Sequence, residues 1–432
     1  MKKLAGFLIV TSLLTLPMGP AGWSVAVAQD AKKEEKRKKP KTRRSEVLGK
    51  AAFQRIEEAQ NLMSEEKYDE AFAPLQVVLD GERFKPYEKA VAIQTTGFIY
   101  AAKGDYQNTV AAFEKAIATG SLPPRVVNDL TYNLAQLTLA DGKAKKSLAL
   151  LEKWFANFEG DVPAEVFGFR AQVHLVLEDY PKAELDSRKA LSMVEEPKQN
   201  WTRILLAVLL QDERYKEARP ILEDAAARWP GVKAFWQQLT AIYYEVDEEE
   251  LAFVAHRAMH IQGMLTSSKE LSSMAQLYLY HDVPIKAAEI LQAGMDDDSI
   301  EKTEKNYELL AQAYMHSREW TKSIAPLTKA AEMSDKGKFY EQLAQSYLQD
   351  EEWGKAEAAL VKALNKGGLD DEPNSWLLLG ISRTRIEKYD AAIKAFRKAG
   401  DDDDTAKDAF RWIRSIERRL AEQKRKAEQA DG

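Results

Sequence analysis

The chain has 432 residues, with 62 Lys and Arg against 68 Asp and Glu for a formal charge of −6, five His and no Cys. No disulfide framework and no thiolate metal or redox site is available to it. So acidic a balance also argues against a body that binds nucleic acid.

In chain order, the first predicted element is an export signal over residues 1–28. Lys2 and Lys3 precede an apolar run from Leu4 to Leu16. Pro17, Gly19 and Pro20 break it, and Ala26-Val27-Ala28 gives a small-residue cleavage site. The run is too short to span a bilayer comfortably. The expected location is the periplasm of a Gram-negative bacterium, with no transmembrane segment in the mature chain. Residues 29–45 read as a basic flexible linker, because 29–44 hold nine Lys or Arg against Asp30, Glu34 and Glu35. So polar a stretch has nothing to bury. With +2 on the signal and +6 on residues 29–44, the remainder carries −14, so a basic arm leads an acidic body.

From residue 46 to 400 one pattern recurs about every 35 residues. Its most visible mark is an Ala-Gln pair: Ala59-Gln60, Ala135-Gln136, Ala171-Gln172, Ala275-Gln276, Ala311-Gln312 and Ala344-Gln345. Around it stand large, small and aromatic residues at fixed offsets. Tyr340, Leu343, Ala344, Tyr347, Trp353, Ala356, Leu360 and Ala363 form one set, and Trp376, Leu379, Gly380, Tyr389, Ala392, Phe396 and Ala399 the next. These offsets fit the tetratricopeptide pattern. The predicted fold is therefore all-α, a TPR-type α-solenoid of about ten antiparallel helix pairs. The ten repeats begin near Ala52, Ala90, Asn128, Ala164, Gln199, Lys233, Ser268, Glu304, Gly337 and Pro373.

Small residues at repeat positions 8 and 20 let helices A and B approach, and aromatics at 4, 11 and 17 fill the gaps between pairs. Pro123, Pro163, Pro197, Pro230 and Pro373 are expected between repeats, and Pro181 and Pro284 at the start of helix B. Pro74, Pro220 and Pro326 fall inside helix B and should bend it. Thr138 and His174 replace the aromatic at 11, and Glu249 the one at 17. Residues 401–432 read as a capping helix and charged tail, with Phe410, Ile413, Ile416 and Leu420 on one stripe.

In a tetratricopeptide array, resemblance to that family implies that helix A lines the inner wall, notably at positions 2, 5, 9, 12 and 13. Position 9 holds the six glutamines Gln60, Gln136, Gln172, Gln276, Gln312 and Gln345. Position 12 holds Met63, Leu139, Leu175, Leu210, Tyr244, Leu279, Met315 and Leu348. A primary amide both donates and accepts, so such a ladder can pair with any peptide backbone beside apolar knobs. The bland alternative is that Gln is a good helix former copied as repeats duplicated.

Chemistry finds little support. His256 and His260 stand four apart on a helix, as zinc ligands can, but Arg257 occupies the place where a protease needs Glu. Asp296-Asp297-Asp298 and Asp247-Glu248-Glu249-Glu250 lack the spacing of a calcium loop and read as turns and caps. There is no phosphate loop and no G-x-S-x-G elbow. Neither an enzyme nor a cofactor is expected.

Several phrases resemble the periplasmic tetratricopeptide proteins that accompany TonB–ExbB–ExbD energy-transduction systems in gammaproteobacteria. They are Gly97-Phe98-Ile99-Tyr100, Tyr132-Asn133-Leu134-Ala135-Gln136-Leu137, Leu151-Glu152-Lys153-Trp154-Phe155 and Phe235-Trp236-Gln237-Gln238-Leu239. The resemblance implies protein partners among the TonB components and a role assisting TonB-dependent transport across the outer membrane. An envelope-assembly scaffold serving peptidoglycan, secretin or cytochrome maturation is the alternative. A metal-dependent hydrolase using His256 and His260 is a minor one. The partner and the oligomeric state stay open.

Overall fold

A computed structural model describes residues 47–430, with side chains described to residue 426. The expected export signal and the whole basic linker lie outside these residues. The described residues form 21 helices and no strand. They fall into two compact units, one reaching Arg228 and the other starting at Trp229.

The first unit has five helix pairs: α1 (Lys50–Ser64) with α2 (Tyr68–Asp80), α3 (Pro86–Ala102) with α4 (Tyr106–Ala118), and α5 (Pro124–Ala140) with α6 (Ala144–Asn157). α7 (Ala164–Val176) with α8 (Tyr180–Ser192) and α9 (Gln199–Gln211) with α10 (Tyr215–Arg228) complete it. The second unit opens with α11 (Lys233–Glu245) and α12 (Glu249–Ile261), then α13 (Ser268–Tyr280) and α14 (Pro284–Asp296). It continues with α15 (Glu304–His316) and α16 (Trp320–Met333), α17 (Lys338–Gln349) and α18 (Trp353–Lys366), and α19 (Glu372–Arg385) and α20 (Tyr389–Ala399). α21 (Asp403–Ala430) closes it.

From Ala164 onward the predicted repeat starts agree with the helix starts to within one residue. Helices α1, α3 and α5 begin two to four residues earlier than their anchors, because Pro86 and Pro124 open α3 and α5 at the first helical position. Pro373 does not separate repeats. It lies in the first turn of α19, where a missing N–H leaves no bond unmade. Helices α2, α10 and α16 run unbroken through Pro74, Pro220 and Pro326.

Pairing within a repeat depends on small residues facing large ones. A Cβ on Gly97 would stand 2.5 Å from the Phe113 ring, and one on Gly380 would stand 2.5 Å from the Phe396 ring. Both rings are wholly buried, so the glycines set how closely helices A and B can pack. Where position 11 lacks its aromatic, polar contacts replace it. Thr138 donates to the Leu134 carbonyl at 2.8 Å, and Ser147 reaches across from α6 to the Ala135 carbonyl at 2.6 Å.

All ten A–B turns share one hydrogen-bond scheme. In the first repeat, Glu66 N–H donates to the Met63 carbonyl at 3.1 Å and Lys67 N–H to the Leu62 carbonyl at 2.9 Å. This paired closure of a helix C-terminus requires a left-handed residue. The turn residues Glu66, Gly104, Gly142, Glu178, Glu213, Asp247, Asp282, Arg318, Glu351 and Glu387 have φ between 55° and 77°. Only two are glycine, and an L-residue held there costs about 1–2 kcal/mol.

The closing helix corrects the predicted stripe. Phe410 is 51% exposed, while Ala409, Ile413 and Ile416 are buried and Trp412 and Leu420 pack beside them against α20 and α19. Residues 409, 413, 416 and 420 share one helical face, and Phe410 is turned about 100° away from it.

Candidate partner-binding face

The Ala-Gln pair has a direct structural meaning. Ala59, Ala135, Ala171, Ala275, Ala311 and Ala344 are all 0% exposed, filling the space where helix B crosses helix A. The next residue is rotated about 100° around the helix and leaves the core. Gln60 and Gln276 are exposed, and Gln136, Gln172, Gln312 and Gln345 are half-buried. Gln136 hydrogen-bonds the Tyr132 hydroxyl, whose pKa burial pushes up to about 12. The other five amides make no hydrogen bond among the described residues, which leaves their donors and acceptors turned to solvent.

Position 12 lies one turn further on. Met63, Leu139, Leu175, Leu210, Leu279, Met315 and Leu348 are half-buried, and Tyr244 is 44% exposed. Met63, Leu139, Leu175, Leu279 and Met315 rest their inner sides on the cores of their own repeats. The backbone carbonyl of each position-12 residue accepts the N–H of the left-handed turn residue. Those five knobs are thus held by both stem and main chain, with their outer sides open.

Position 13 shares this face and completes a strip. In the first unit the strip reads Gln60, Met63 and Ser64; Phe98, Ala101 and Ala102; Gln136, Leu139 and Ala140; Gln172, Leu175 and Val176; Ala207, Leu210 and Gln211. None of the fifteen carries a charge, in a chain that is 30% charged. The second unit keeps Gln276 and Leu279, Gln312 and Met315, and Gln345 and Leu348 on three consecutive A helices. Its strip begins and ends with a charge, Glu245 and Arg385.

Charged residues are engaged elsewhere. Arg170 holds the buried Asp186 through two bonds of 2.6 and 2.7 Å, with its guanidinium 4.0 Å from the Phe155 ring centroid. Lys198 reaches Glu165 at 2.7 Å, and Lys338 reaches Glu308 at 2.8 Å, each joining one repeat to the next. Lys233 pairs with Glu270, and that pairing brings the Glu270 carboxyl down to about 2. The Lys198, Lys338 and Lys233 links lie toward the N-terminal halves of the A helices.

The histidine pair sits in α12. Nε2 of His256 and Nδ1 of His260 are buried without a hydrogen-bond partner, and the His260 ring stands edge-on to Tyr278 at 6.3 Å. No group of three potential metal ligands is found among the described residues, there or elsewhere. The acidic runs are turn and cap residues. Asp297 accepts from Ser299 N–H at 2.9 Å, Asp298 pairs with Lys302 at 2.6 Å, and Glu249 accepts the Tyr280 hydroxyl at 3.3 Å.

Sequence reading named positions 9 and 12 by their residues but did not name the neutral partners at 13 or Phe98 and Ala101. Their signal is an absence of charge down a column of repeats. It emerges only when the repeats are aligned at the turn.

Residues 341–406 match the tetratricopeptide repeat family model. No protein of curated function matches the chain. Among solved structures, a tetratricopeptide repeat protein from Parabacteroides merdae is 16% identical, with 69% of this chain and 99% of that one covered at a TM-score of 0.37. MamA is 18% identical, with 37% and 92% covered at 0.33. YrrB, described as a TPR protein with an unusual peptide-binding site, is 12% identical, with 44% and 97% covered at 0.35. Paired helices closed by one turn scheme and small residues at fixed offsets give the described residues an all-α, TPR-like solenoid fold, and residues 341–406 carry the match to the tetratricopeptide repeat family.

Proposed function

We propose that the protein is a periplasmic adaptor that holds protein partners on the last-turn faces of its A helices and assists TonB-dependent transport across the outer membrane. The observation carrying the first part is the repeated pairing of a wholly buried alanine with an exposed or half-buried glutamine, whose amide makes no hydrogen bond among the described residues in five of the six pairs. Unpaired amides beside anchored apolar knobs are what an extended backbone needs for recognition. The periplasmic and TonB parts are supported by the export-signal pattern of residues 1–28 and by the phrases shared with TonB-associated repeat proteins.

Two measurements test the two parts. Changing Gln276, Gln312 and Gln345 together to Ala should weaken capture of the native partner at least tenfold while the circular dichroism spectrum stays unchanged. Unaltered capture by that folded variant would sink the amide reading. A deletion strain should grow poorly on a nutrient that requires TonB. Normal growth, together with crosslinks in living cells to peptidoglycan, secretin or cytochrome-maturation proteins, would move the assignment to an envelope-assembly scaffold.

A further inference from the structure

We propose that the outward side of the closing helix, α21, is a docking surface for the phosphate headgroups of an anionic phospholipid membrane. This surface lies on no A helix, so it stands or falls apart from the protein-binding reading above.

Lys407, Arg411, Arg414, Arg418 and Arg425 fall on one line of α21. At about 100° per residue they occupy a sector roughly 60° wide. The buried face of Ala409, Ile413 and Ile416, with Leu420 beside it, is centred about 160° away. Packing against α19 and α20 therefore fixes which side meets solvent, and all five basic residues are exposed. Residues 407–426 hold eight Lys or Arg against Asp408, Glu417 and Glu422, so they carry +5 in a body of −14. Those three acids stand at the margin or flanks of the line, and Asp403 and Asp404 precede it in the first turn. Arg411 pairs with Asp408 at 3.1 Å, and Arg419, on the flank, reaches Glu387 at 3.2 Å. Lys407, Arg414 and Arg418 make no ion pair or hydrogen bond among the described residues.

The form of the line selects the ligand. It runs about 27 Å along the convex side of a helix, so its cations converge on no single point and do not enclose a small anion. A surface that repeats phosphates in a plane gives each cation a partner of its own. A guanidinium meets a phosphate through two parallel hydrogen bonds. Phe410 flanks the line and is 51% exposed, which puts an aromatic ring where such a helix meets the boundary between headgroups and acyl chains. A purely acidic polypeptide would leave that ring without an apolar layer to enter. The opposite face of α21 stays in the repeat core, so the helix lies along the membrane and does not insert.

The test uses residues 29–432 with Ser415→Cys, an exposed site beside the line that becomes the single thiol of a chain without Cys. The thiol carries nitrobenzoxadiazole, whose emission reports its surroundings. Residues 29–44 are basic too, so a readout local to α21 is needed. Vesicles of phosphatidylcholine and phosphatidylglycerol in about equal parts should shift the emission to the blue, and phosphatidylcholine alone should not. Each basic residue near an anionic surface is worth about fivefold in affinity. Arg414→Glu with Arg418→Glu should therefore raise the lipid concentration at half-shift at least tenfold, with an unchanged circular dichroism spectrum. Arg414→Lys with Arg418→Lys should keep most of the response, which separates charge from folding. No shift on anionic vesicles, an equal shift on neutral ones, or an unchanged response in the Glu pair overturns the proposal. A stronger response to poly-glutamate than to vesicles also overturns it and makes the line a site for acidic protein. None of these outcomes alters the result of the glutamine test on the A helices.

Discussion

The first unit, ending at Arg228, and the second, starting at Trp229, each stack five helix pairs but equip them differently. The first closes two of its five A–B turns with glycine, at Gly104 and Gly142, and the second closes all five with side-chain-bearing residues. The first has a neutral strip, while the second places Glu245 and Arg385 at the ends of its own. Hydrogen-bonded turns and small-on-large contacts recur in both. The repeat is therefore maintained by main-chain bonding and packing, and surface chemistry is free to diverge on top of it.

The sharpest way to break this comparison is to remove one large ring from each unit. Phe113→Ala and Phe396→Ala each empty a wholly buried site against a glycine and should cost about 3–5 kcal/mol. Because stability in stacked repeats is carried by neighbours, hydrogen exchange should quicken mainly in the unit that holds the substitution. Equal quickening in both units would show that they unfold together.

Acidity should separate the units next. Burial holds His174 in the first unit, and His256 and His260 in the second, below the ordinary histidine range. Asp186 and Asp179 favour protonation of His174, while Arg170 and Lys182 oppose it; Glu270 favours it at His256, while His260 and Lys233 oppose it. The unfolded chain takes up these protons near pH 6.5, and the folded chain only at lower pH. No stability is lost above about pH 6.5, and the loss grows as pH falls toward the depressed folded values. With two such groups, the second unit should lose protection more steeply between pH 6.5 and 5. The measurement is unit-resolved hydrogen exchange corrected for intrinsic rates, and His256→Asn with His260→Asn should flatten the difference. A slope unchanged by that pair would remove the histidines as its cause. Loss of the Glu270 pairing belongs to a separate window, below the ordinary Glu value and toward about pH 2.

The smallest effect tests the turns. Glu213 sits at φ 55°, and Glu213→Gly should stabilise the first unit by about 0.5–1 kcal/mol, the relief of left-handed strain less the added chain entropy. Thermal melting would show it as a rise of a few degrees, and Gly142→Ala should shift the midpoint the other way.

Much of this architecture was legible in the sequence because the period-34 pattern places small and large residues where helices must touch. The repeat starts from Ala164 onward were readable for that reason, and so were the six glutamines. The starts of α3 and α5 were displaced because proline at the first helical position outweighs a repeat anchor. The left-handed turns were hidden because Glu, Asp and Arg stand where Gly advertises such a conformation. The face of α21 was misjudged by one residue at Phe410, since 409 and 410 both fit a loose helical stripe until packing chooses between them.

The apolar stripe of α21 stops at Leu420, and residues 421–426 are exposed on every side. A fluorophore, affinity handle or surface tether fixed at residues 421–426 would leave the packed face of α21 untouched, which makes this stretch a natural place to immobilise the protein for force or binding measurements.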